Sequence, residues 1–226
     1  MTKKCPITLY HGTSSFFLDS ILKNGLGGVN IIKEWGALDF VNEMHPYVAE
    51  KFSNHISFYS FDKMAKQFTS SYSNFQHGNV YLTPSLSKAL DYTIKKKYGS
   101  ELLHYAFLFF NELNAVDKEL CRQWRMKYKE IFKLEPFYGS PLIIAISDMD
   151  YSDLLDENGD EVSSDKILRI DTILEKMPEI YETALQCENF RLNKVLSKDF
   201  FKVYLPVLTN YDVFLPQAQL IELNLK

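Results

Sequence analysis

The stretch Leu9-Tyr10-His11-Gly12-Thr13, with Ser20-Ile21-Leu22-Lys23-Asn24-Gly25-Leu26 behind it, decides how this chain reads. Residues 7–11 are β-rich and alternate weakly, which predicts a strand. Phe16, Phe17, Ile21 and Leu22 recur at helical spacing after the N-cap candidates Ser14 and Ser15, and Gly25 stops the helix. The strand thus ends on an imidazole beside a glycine, whose backbone can approach a small molecule closely. An isolated His-Gly-Thr is common, so its weight depends on what the remaining sequence adds.

Composition sets the bounds. At 226 residues, with 46% apolar and 15% aromatic side chains, the chain suits one large domain with a sizeable core. The net charge of −4 supplies no global cationic field for nucleic acid. Lys95-Lys96-Lys97 and Arg122–Lys133 are the local basic runs, read as solvated helix faces. Cys5, Cys121 and Cys187 are too scattered for a disulfide framework or a zinc site and fit a reducing compartment. The longest apolar run, Ala106–Phe110, is far short of a membrane span. The expectation is a soluble, cytoplasmic protein with no membrane partner.

Along the chain, 31–54 read as loop plus a short helix near Pro46–Phe52, His55–Phe61 as a strand, and 62–78 as loop. Asn79–Thr83 reads as a short strand, and Pro84-Ser85 opens a helix through Lys97. Residues 101–134 carry helical periodicity, either one broken helix or a hairpin. Pro141–Ser147 reads as a buried strand and the acidic stretch 148–165 as a solvated loop. Residues 173–186 read as helix. Phe201–Val207, Asp212–Leu215 and the final alternation Leu220–Leu225 read as strands, with Pro216 marking an edge or bulge. His45, His55, His77 and His104 show no metal-ligand spacing. The order predicts an α+β fold, residues 1–226 forming a single domain with a helical insertion around 100–140.

Two further segments join the first. Tyr81 ends a strand and Tyr92 lies about two turns into the next helix, so two aromatic faces can address one cleft and hold a flat heteroaromatic ring. Tyr211-Asp212-Val213-Phe214-Leu215-Pro216 sets a carboxylate before a late strand.

Together these segments resemble the H-Y-E branch of the ADP-ribosyltransferase superfamily, which includes diphtheria toxin and the poly(ADP-ribose) polymerases. His11-Gly12-Thr13 is similar to its first motif. Tyr81-Leu82-Thr83 with Ser87-Lys88-Ala89-Leu90-Asp91-Tyr92 is similar to its second. Asp212-Val213-Phe214-Leu215-Pro216 follows the third in pattern but has Asp where the family has Glu; Glu222 is the other carboxylate at hand. The opening also resembles that of the tRNA 2′-phosphotransferases, but Tyr81 and Tyr92 stand where that group has a His-x-His strand and an Arg. The resemblance covers 9–26, 78–92 and 209–225.

It implies split antiparallel sheets flanked by helices, and NAD as co-substrate with no metal. His11, Gly12, Thr13, Tyr81 and Tyr92 would bind it, with His11 on the ribose and the tyrosines around nicotinamide. His11, Tyr81 and Asp212 would be the catalytic residues, Asp212 offsetting charge at the anomeric carbon. The implied activity is transfer of ADP-ribose to a macromolecule, protein or nucleic acid (RNA or DNA), as in toxins of toxin–antitoxin or phage-defence systems, where an antitoxin protein would be a partner. The alternatives are an NAD-dependent RNA 2′-phosphotransferase-like enzyme and a non-catalytic module that binds NAD or ADP-ribose.

Overall fold

The computed structural model describes residues 3–70, 73–96, 98–135, 139–210 and 216–225. In chain order the elements are β1 (Leu9–Ser14), α1 (Leu18–Asn24), α2 (Ile31–Glu34), α3 (Ala37–Phe52), α4 (Phe58–Ala65), β2 (Thr69–Ser70), β3 (Ser73–Asn74), β4 (Tyr81–Leu82), α5 (Leu86–Lys95), α6 (Glu101–Val116), α7 (Lys118–Lys127) and α8 (Lys129–Phe132). There follow β5 (Pro141–Ile146), β6 (Leu154–Asp156), α9 (Ser164–Lys176), α10 (Tyr181–Ala184), β7 (Phe190–Leu192), β8 (Lys202–Asn210) and β9 (Gln217–Glu222). The fold is α+β with antiparallel pairing in each sheet.

The chain divides into two compact units. The first comprises Met1–Val29, Asn79–Lys95 and Ser140–Lys226. It holds a four-stranded sheet in the order β1-β5-β8-β9 and a three-stranded sheet in the order β4-β7-β6. β5 shows the strand alternation plainly. Leu142, Ile144 and Ile146 enter one core with Leu9, Leu82, Phe190 and Leu192, while Ile143 faces Ala89 and Leu90 of α5.

The second unit comprises Asn30–Gly78 and Lys96–Gly139. The helical part is therefore larger than the expected insertion around 100–140, because 30–78 belongs to it as well. Here two sequence expectations fail. Residues 37–52 are one helix with Pro46 inside it, since Ala37, Phe40, Val41, Met44 and Val48 form a buried stripe at helical spacing. The proline leaves the carbonyl of Asn42 without its helical donor, and Asn42 is exposed to water. Phe58–Ala65 is also helical, because Phe61 and Met64 are buried on one face of it. The helical periodicity of 101–134, read as one broken helix or a hairpin, is realised as α6 and α7, joined at Asp117, whose Oδ1 accepts from Leu120 N–H at 3.0 Å. Phe40 is the hub of this core, its ring within about 6 Å of Phe110, Trp124, Tyr128 and Phe132.

Three other expectations shift. The acidic stretch contains β6, and Asp156 Oδ1 accepts from the backbone N–H of Asn158, Gly159 and Asp160, so this carboxylate folds the turn. Helix α9 starts earlier than expected, at Ser164, because Ser163 Oγ caps Lys166 N–H at 3.2 Å. Strand β8 runs on to Asn210, and the last strand is 217–222. The basic runs are largely paired: Lys95 with Asp91, Arg122 with Glu119, Arg125 with Glu135 and Lys127 with Glu43. No described helix is long and apolar enough to cross a membrane.

Replacing Phe40 by Ala removes a fully buried ring from four aromatic neighbours. The expected loss is about 3–5 kcal/mol, read from the denaturant midpoint at constant m-value; a loss under ~1 kcal/mol would contradict this packing.

Candidate functional site

Strand β1 meets a different partner along each edge. On one side it pairs with β5 from Leu9↔Ile146 to Ser14↔Pro141. On the other it pairs with the β4 segment only once, at Tyr10↔Thr83. There Tyr10 N–H donates to Thr83 O at 2.8 Å and Thr83 N–H to Tyr10 O at 2.9 Å.

In a regular antiparallel ladder the next reciprocal pair would be Gly12 and Tyr81. The ladder stops instead. The Tyr81 carbonyl accepts from Nδ1 of His11 at 2.9 Å. A side chain has replaced the main chain as the partner of that carbonyl. Because a carbonyl only accepts, His11 carries its proton on Nδ1 and leaves Nε2 as an acceptor. Burial holds this imidazole below its ordinary pKa, with the bond to Tyr81 acting in the opposite direction.

Strand parity then fixes Gly12. Its N–H and C=O turn to the same side as those of Tyr10, the side of β4. Among the described residues its N–H meets no acceptor, although Gly12 is buried. Buried backbone donors rarely stay unpaired. A donor and an acceptor side by side on one glycine complement a planar primary carboxamide.

Helix α5 closes over the other aspect of Gly12. A Cβ there would stand 2.5 Å from Ala89 O and 3.3 Å from Thr93 Cβ. Thr93 Oγ1 donates to Thr13 O in the next register, and Thr13 itself is buried. Gly12 thus admits the helix, and Thr13 anchors it through its carbonyl. Ala89, Leu90 and Thr93 are the buried face of α5, and Tyr92, beside Thr93, is half-buried. The start of α5 is fixed by Glu182 Oε2, which accepts from Leu86 N–H at 3.1 Å. The phenol of Tyr10 is pushed up to about 12 by burial, with Tyr181 and Glu182 adding to the effect.

The structure therefore brings residues 9–13 and 81–93 together: His11 on the Tyr81 carbonyl, Gly12 on Ala89, and Thr13 on Thr93. Asp212 lies outside the described residues. Glu222 does not join the group. It pairs with Lys202 at 3.1 Å on β9, and β5 and β8 separate that strand from β1, about 14 Å at ordinary interstrand spacing. Glu182 escaped sequence reading because nothing local marks a helix cap supplied from nearly a hundred residues away. Among the described residues no group of His, Cys, Asp and Glu is placed to hold a metal ion.

Substituting Gly12 by Ala pushes a methyl into the Ala89 carbonyl. The expected cost is about 1–3 kcal/mol, measured by thermal or denaturant unfolding; wild-type stability would contradict the contact. For His11 the folded pKa lies below the unfolded ~6.5, so the unfolded state binds more protons once pH falls through that value. His11 thus contributes a loss of stability as pH drops below ~6.5, and His11→Gln is expected to show a shallower slope there; an unchanged slope would contradict a neutral, half-buried His11. No family model, curated protein or solved structure matches this chain.

Proposed function

We propose that the first unit has the ADP-ribosyltransferase type of fold and that the protein is a mono-ADP-ribosyltransferase. In this reading it binds NAD, releases nicotinamide and passes ADP-ribose to a macromolecular acceptor, protein or nucleic acid. One observation carries the proposal: the His11 imidazole interrupts the β1–β4 ladder and leaves Gly12 N–H turned into the gap.

Nicotinamide fits what surrounds that gap. Its carboxamide oxygen would accept from Gly12 N–H and its amino group would donate to Gly12 O. The rings of Tyr81 and Tyr92 would cover its faces. His11 Nε2, left as an acceptor, would take a ribose hydroxyl proton in a hydrogen bond. Cleavage breaks the bond between the anomeric carbon and the ring nitrogen, and the electron pair leaves with neutral nicotinamide. The acceptor nucleophile forms the new bond at that carbon and gives up its proton. Asp212 is the carboxylate we assign to the positive charge that develops there.

The test is incubation with NAD labelled in the adenosine moiety, together with cell protein or RNA. Nicotinamide release and label on one macromolecule class are expected. His11→Ala and Tyr81→Ala should abolish most of it, and Asp212→Asn should lower the release rate about 10²–10³-fold. Release without labelled macromolecule would replace transfer by hydrolysis. Binding of NAD without turnover would favour a binding module, and no binding by calorimetry would remove the reading.

A further inference from the structure

We infer that Arg191 of β7 is the anion-binding residue of this same site and takes the diphosphate of the dinucleotide; this rests on the proposed NAD reading. Arg191 is the direct cross-strand partner of Tyr81 and, on its other side, of Leu155. Directly opposed residues of an antiparallel pair project from the same face, with Cβ atoms about 5 Å apart. The opposite face of this sheet is the core, where Leu82, Phe190, Leu192 and Leu154 are buried. Arg191 therefore stands beside Tyr81 on the face turned away from that core.

Its charge has no counter-ion among the described residues. The chain has four arginines. Arg122, Arg125 and Arg169 each bridge a glutamate, namely Glu119, Glu135 and Glu188. Arg191 makes no ion pair among the described residues, though it is only half-exposed. A guanidinium held partly out of water without a counter-charge is a poor structural choice and a good anion site. Its place is also prepared. Gly159 has φ +100°, and a Cβ there would lie 2.6 Å from Arg191 Nη1 and 3.5 Å from Cζ. The missing side chain leaves the guanidinium its room in the turn. In the same turn Asp156 Oδ1 is taken by three backbone N–H groups. A planar fork reaching across β6 from a residue next to Tyr81 matches a dinucleotide whose nicotinamide sits at Tyr81 and whose diphosphate lies several bonds farther on.

The experiment compares NAD and free nicotinamide binding by calorimetry to the full-length protein and to Arg191→Gln, which keeps most of the aliphatic stem. NAD affinity should fall roughly tenfold or more, nicotinamide affinity should stay within about twofold, and the salt dependence of NAD binding should flatten. Arg191→Lys, which keeps the charge without the fork, should fall between. If Arg191→Gln binds NAD as tightly as the wild type, or loses nicotinamide equally, the anion role is wrong while the site stands. If the wild type binds neither molecule, the site reading falls and this assignment with it.

Discussion

The bond from His11 Nδ1 to the Tyr81 carbonyl is the interaction on which the first unit's geometry turns. Without it, Tyr81 O would be free to accept from Gly12 N–H, and the four-stranded and three-stranded sheets would zip into one continuous surface. An imidazole is suited to the interruption. It is long enough to reach across the gap, and it can satisfy the carbonyl while remaining neutral. The substitution costs no hydrogen bond at Tyr81 and opens a donor at Gly12.

Other features become intelligible from that point. Gly12 must lack a side chain because α5 packs on it through Ala89 and Thr93. Thr93 and Glu182 fix the helix along its length and at its start. Each of these contacts is ordinary in size, on the order of 1 kcal/mol. Their joint effect is positional: they hold α5 against β1. Arg191 enters through sheet register alone, as the neighbour that antiparallel pairing places next to Tyr81.

Much of this was legible in the sequence where the signal was local. The β1 strand, the glycine stop at Gly25, the helix after Pro84 and the helical pair in 101–134 each follow from periodicity, caps and breakers within a few residues. The failures share a cause. Residues 31–54 read as loop plus a short helix and 55–61 as strand, yet 37–52 and 58–65 are helices because a buried apolar stripe outweighs local propensity. For the site, the pattern His11, Tyr81 and Tyr92 was visible as motif spacing. The Nδ1 tautomer, the orientation of Gly12 N–H and the position of Arg191 were not, because they arise from pairings between segments seventy or more residues apart.

The most direct measurement is the backbone amide resonance of Gly12, followed by NMR as nicotinamide is added to the isotopically labelled protein. The interrupted ladder predicts a saturable downfield shift of Gly12 N–H as it gains an acceptor, with Tyr10 N–H, already bonded to Thr83, nearly still. A Gly12 amide that does not move while nicotinamide binds elsewhere, or one already hydrogen-bonded and as slow to exchange as Tyr10 in the free protein, would contradict it.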